Sequence, residues 1–108
     1  MEEERRRVPR FQFIAPVELV DESSGARLTS YVTDLGLNGC LVGVSDPPRE
    51  GAALQLKIIT SVDFFEAPAT VVHSRPHHMG VTFHDVQPQA LTILRRWLST
   101  AKFPIGTV

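Results

Sequence analysis

Six short runs of alternating apolar and polar residues, punctuated by Gly, Pro, Asn, Asp and Ser and followed by one stretch of helical periodicity, predict an all-β fold. Strands this short and closely spaced suit a six-stranded antiparallel β-barrel, and one C-terminal α-helix must cover an opening or lie on the wall. With 108 residues, 43% of them hydrophobic, the chain has material for one core. A single domain is therefore expected over 1–108, with a flexible arginine segment at 1–10, the barrel at 11–84 and the helix at 88–102.

Phe11, Phe13, Ala15, Val17 and Leu19 alternate as a first strand, which Asp21-Glu22-Ser23-Ser24-Gly25 should reverse into a hairpin. The return strand, Ala26 to Thr33, sets Leu28, Ser30 and Val32 against Arg27, Thr29, Tyr31 and Thr33. Asp34 to Gly39 reads as a tight loop, because its two glycines and asparagine tolerate positive φ. Cys40 to Val44 resumes as a strand. After the Ser45–Gly51 break, Leu54, Leu56 and Ile58 mark a fourth strand. Ala67 to Ser74 gives a fifth, with Pro68 near its start, and Met79 to Phe83 a sixth. From Pro88 the period changes: Leu91, Leu94, Leu98 and Ala101 form a helical stripe with Ile93 and Trp97 beside it.

The net charge of −1 argues against non-specific DNA or RNA binding, which needs a basic excess, so any anion site must be local. Cys40 is the lone cysteine, and its place at the start of a strand suits a small buried hydrophobe better than a nucleophile. The opening Met-Glu-Glu-Glu-Arg has no signal-like apolar core, and no run is long enough for membrane insertion. A cytoplasmic location is expected. No serine, cysteine or histidine falls into a catalytic constellation, so no enzyme is expected. His73, His77, His78 and His84 bracket one hairpin, but their spacing across a turn and the lack of a cysteine pair argue against a metal. No cofactor is called for.

Two segments remain. Asp63-Phe64-Phe65-Glu66 falls in the expected connection between the fourth and fifth strands. Its two phenylalanines either pack on opposite sides or expose one ring as a contact surface for a partner protein. Glu2-Glu3-Glu4-Arg5-Arg6-Arg7-Val8-Pro9-Arg10 concentrates arginine immediately before the first strand. Taken alone it reads as a solvated tail; on a folded surface its guanidinium forks suit a planar or phosphorylated anion.

Over nearly the whole chain these residues resemble the PilZ family, the bacterial receptor domain for cyclic di-GMP. Arg6-Arg7-Val8-Pro9-Arg10 fits the family's RxxxR pattern. Asp34-Leu35-Gly36-Leu37-Asn38-Gly39 fits its second pattern, D/N-x-S-x-x-G, except at Gly36, where the family has serine. Val71-Val72-His73, Gly80-Val81-Thr82-Phe83 and the Leu91–Leu98 helix resemble its last strands and closing helix. The resemblance implies a PilZ-type barrel whose ligand is cyclic di-GMP.

It further implies that Arg6 and Arg10 meet the guanine O6 and N7 acceptors, the base planes or the phosphates, and that Asp34 accepts from guanine N1 and N2. Gly39 would allow close backbone approach, and Asn38 shares the loop. Arg5, just before the pattern, hints at a stacked pair of ligands; Arg7 is unmatched. A lost serine hydroxyl at Gly36 would weaken binding roughly ten- to a hundredfold, although Gly36 to Gly39 could still offer backbone amides to phosphate. The expected function is a receptor that orders its arginine segment on binding and signals to a downstream protein. The alternative is a diverged domain without ligand that works through protein contacts.

Overall fold

The computed structural model describes residues 9–101 and the backbone of residues 104–105. Among these the chain forms β1 (Arg10–Asp21), β2 (Arg27–Gly36), β3 (Gly39–Gly43), β4 (Ala53–Ile59), β5 (Phe64–Arg75), β6 (His78–Phe83), α1 (Pro88–Thr100) and β7 (Pro104–Ile105). The sheet runs β2-β3-β6-β5-β4-β1-β7, and β1 also pairs with β2, so six antiparallel strands close into a barrel.

Alternation along each strand supplies the core. Ala15, Val17 and Leu19 point inward from β1, Leu54, Leu56 and Ile58 from β4, Phe65, Ala67, Ala69 and Val71 from β5, and Met79, Val81 and Phe83 from β6. A shift of register by one residue in any of these strands would carry its apolar set to solvent. The β1–β2 turn is fixed locally. The Asp21 carboxylate accepts from the Ser23 amide at 2.9 Å and from its hydroxyl at 2.8 Å, and Gly25 takes a φ of 75°.

Helix α1 starts at Pro88, whose missing N–H costs nothing there, and buries Leu94 and Trp97. Trp97 stacks on Phe13 with ring centroids 5.2 Å apart and meets Phe65 edge-on at 6.4 Å; Phe65 in turn contacts Phe83 at 4.9 Å. Asp63, just ahead of β5, clamps the helix to the β4–β5 hairpin. Its carboxylate accepts from Thr60 Oγ1 at 2.8 Å and Trp97 Nε1 at 3.0 Å, and it pairs with Arg96.

Several boundaries differ from expectation. β5 begins at Phe64 instead of Ala67, because Phe65 pairs with Ile58 and is fully buried while Phe64 points outward under the Lys57 ammonium, 4.5 Å from its ring centre. The two phenylalanines thus take opposite faces, and what looked like a connection is paired strand. β2 continues through Asp34, Leu35 and Gly36, leaving only Leu37 and Asn38 to turn the chain. Arg10, assigned to the N-terminal segment, is the first residue of β1 and pairs with Gly36 and Ile105. The two-residue β7 is too short to leave a periodic signal.

Two stability measurements follow from this core. Phe65→Ala is expected to cost about 3–5 kcal/mol in urea unfolding, the range for removing a large buried aromatic. Thr60, then Arg96 and Trp97, hold the Asp63 carboxyl below its usual range against the opposing effect of burial. Because the folded form has the lower pKa, this contribution is in full effect above the usual carboxylate value and is lost as pH falls through the depressed one. Asp63→Asn should therefore lower the Tm at neutral pH, and the gap between variant and parent should narrow in acid.

Candidate ligand-binding site

Three β-bulges shape one outer surface of the barrel. On β2, Val32 faces inward and Asp34 would by alternation do the same, but Thr33 is an extra residue opposite β3 and turns Asp34 outward against Leu41. On β5, Val71 faces inward and Val72 is the extra residue, so His73 turns outward against Gly80. On β1, the register slips between Gln12 and Ala15, leaving Gln12 opposite Asp34. The result is a cross-strand row, Gln12–Asp34–Leu41–Gly80–His73. A second row beside it holds Arg10 opposite Gly36, and Gly39 opposite Thr82 and Thr70.

Arg10 and Asp34 are diagonal neighbours across the β1–β2 pair, roughly 7–8 Å apart for this register. A cation and a carboxylate that close, on a surface floored by glycine, can meet a group presenting acceptors on one edge and donors on another. Gly36 lies directly beneath the arginine: a Cβ built there would stand 3.2 Å from Arg10 Cγ and 3.2 Å from the Pro9 carbonyl oxygen. The absent side chain therefore does more than remove a hydroxyl. It lets Pro9 and Arg10 lie close on β2.

Gly39 serves packing and not turn geometry. Its φ is not positive, contrary to the expectation for this segment, and a Cβ there would overlap the Val81 carbonyl across the β3–β6 pair. Asn38 is exposed in the turn, and its carbonyl accepts from the Phe83 amide at 2.9 Å, tying the turn to β6. Arg5 and Arg6 lie outside the described residues. Of the expected site, the fold thus gathers Arg10, Asp34, Gly36, Asn38 and Gly39 at one place. Cys40 is buried beneath it; burial and then the nearby Asp34 push its thiol above the usual range, which removes it as a nucleophile.

The domain model for the PilZ domain matches residues 4–100. The chain belongs to the PilZ domain family. No curated protein matches it. Among solved structures, the PilZ domain of YcgR from Escherichia coli with c-di-GMP aligns at 17% identity and TM-score 0.76, covering 90% of this chain and 91% of that one. The PilZ domain of CeSA from a cellulose-synthesizing bacterium aligns at 16% identity and TM-score 0.70, covering 83% and 94%. The Bacillus subtilis inhibitor of motility (MotI/DgrA) aligns at 18% and 0.71, covering 91% of this chain and 54% of that one. At such identities these likenesses speak for the barrel of this PilZ domain alone.

Sequence reasoning weighed His73 only as a metal ligand and did not connect it to Asp34. A signal was present: the inward series 65, 67, 69, 71 would place a histidine in the core at 73, and Gly80 offers the one gap on β6 into which its ring fits. Gly39 and Gly80 can be told apart by experiment. Gly39→Ala forces a methyl into backbone and should cost about 1–3 kcal/mol in chemical denaturation. Gly80→Ala meets only the movable imidazole of His73 and should cost clearly less.

Proposed function

We propose that this PilZ domain is a receptor for cyclic di-GMP that captures the ligand between its N-terminal arginine segment and the outer face of β2 and β3. The observation that carries this reading is the juxtaposition of Arg10 and Asp34 over Gly36. Arginine offers a planar fork of donors to guanine O6 and N7 or to phosphate, and Asp34 offers only acceptors to guanine N1 and N2. Arg6 and Arg5 would add donors from the preceding segment. Support also comes from the YcgR PilZ domain, whose structure contains c-di-GMP. Ordering of the arginine segment around the ligand would present a new surface to a downstream protein, which is how a receptor without chemistry of its own transmits a signal.

The second reading, a domain that has given up the ligand and acts by protein contact, is favoured by Gly36 in place of the family's serine. Exposed Val62 and Phe64 at the β4–β5 hairpin would serve it. Calorimetric titration with cyclic di-GMP separates the two. The receptor reading expects heat with Kd no weaker than tens of micromolar, roughly −6 to −7 kcal/mol, and a loss of tenfold or more in Arg10→Ala. Gly36→Ser should gain at most about tenfold, because the new hydroxyl must displace Pro9 and Arg10 to fit. A parent without heat beside a tightly binding Gly36→Ser variant would establish the adaptor reading instead.

A further inference from the structure

His73 belongs to no established role, yet the barrel invests a bulge and a glycine in holding it. Val72 is the extra residue that turns it out of the core, and its imidazole occupies the space that any side chain at Gly80 would need. The ring is partly buried and meets His78 edge-on, centroids 5.8 Å apart. It stands at the far end of the row that contains Asp34, three strand spacings away, or roughly 14 Å. An extended dinucleotide ring anchored at Arg10 and Asp34 can span that distance across Leu41 and Gly80.

We propose that His73 is a further anion-contacting residue of this site and that capture of cyclic di-GMP is coupled to the uptake of one proton by its imidazole. The inference rests on the receptor reading above and deepens it. The charged and titratable groups facing His73 are Arg75 on the same strand, His78 on β6, Glu50 in the β3–β4 connection and Arg10 on β1, with Asp34 farther along the row. Burial first, then Arg75, His78 and Arg10, hold His73 below its usual value, against Glu50. In the free protein it is therefore neutral at pH 7.

A phosphodiester anion reverses that balance. Negative charge laid beside the ring raises its pKa, so the bound state carries one more proton than the free state. The proton comes from solvent, with no bond made or broken in the ligand. Affinity must then rise as pH falls through the interval between the bound and free pKa values, by up to tenfold per pH unit where uptake is complete. Neither phosphodiester nor guanine titrates near neutrality, so the ligand does not mimic this dependence.

Calorimetry of the intact chain with cyclic di-GMP, run from about pH 5.5 to about pH 8 in buffers of different ionisation enthalpy, reads the proton count directly. The expected result is uptake in the parent, its loss in His73→Phe together with a flattened pH profile, and its retention in His77→Gln, a change in the β5–β6 turn. The His73 ring proton, followed by NMR, should titrate at higher pH with ligand than without. Heat without proton uptake, or uptake that survives in His73→Phe, overturns this proposal and leaves the receptor standing. No heat at any pH overturns both.

Discussion

Everything in this domain depends on β1 pairing along both of its edges. Its C-terminal half is hydrogen-bonded to β4 from Val17 to Asp21 and its whole length follows β2, which converts an open sheet into a barrel. A straight strand of 12 residues could not do this around so small a core. The register slip after Gln12 lets β1 change direction while Ala15, Val17 and Leu19 stay inside. The same pairing fixes the site, because closing β1 onto β2 is what lays Arg10 over Gly36 and beside Asp34. Fold and candidate site are held by one set of backbone hydrogen bonds.

The interior is divided between two kinds of contact. Aliphatic side chains fill the barrel, and an aromatic group of Phe13, Phe65, Phe83 and Trp97 joins the helix to it. Asp63 adds direction to that joint, since a buried indole N–H needs a partner and finds it only in one orientation of the helix. The recognition surface lies on the outer wall and borrows nothing from the core except the positions of its bulges. Such a division allows residues like Gly36 and His73 to vary without loss of the barrel.

Much of the architecture was legible because its elements are periodic. The alternations in β1, β4 and β6 and the helical stripe from Leu91 to Leu98 identify themselves in one dimension. Failures fell where periodicity breaks or runs short. Phe64-Phe65 looked like a loop because two adjacent aromatic residues defy a one-sided strand, yet one faces the core and the other covers Lys57. Asp34-Leu35-Gly36 looked like a turn because of its composition, yet pairing with β1 and β3 keeps it extended. The motif residues Arg10, Asp34 and Gly39 could be listed from the chain, but Gly39 was credited with turning when its lack of a side chain is demanded by Val81.

The sequence by itself determined the barrel-and-helix class, the family, and the half of the site written in contiguous motifs, since hydrophobic period and short-range spacing are local properties. Tertiary structure alone decided which way Asp34 and His73 face and that Pro9 and Arg10 rest on Gly36. The reason is physical: an extra residue in a strand inverts the facing of all that follows, and whether it is accommodated as a bulge depends on the hydrogen-bonding partner, which belongs to another part of the chain.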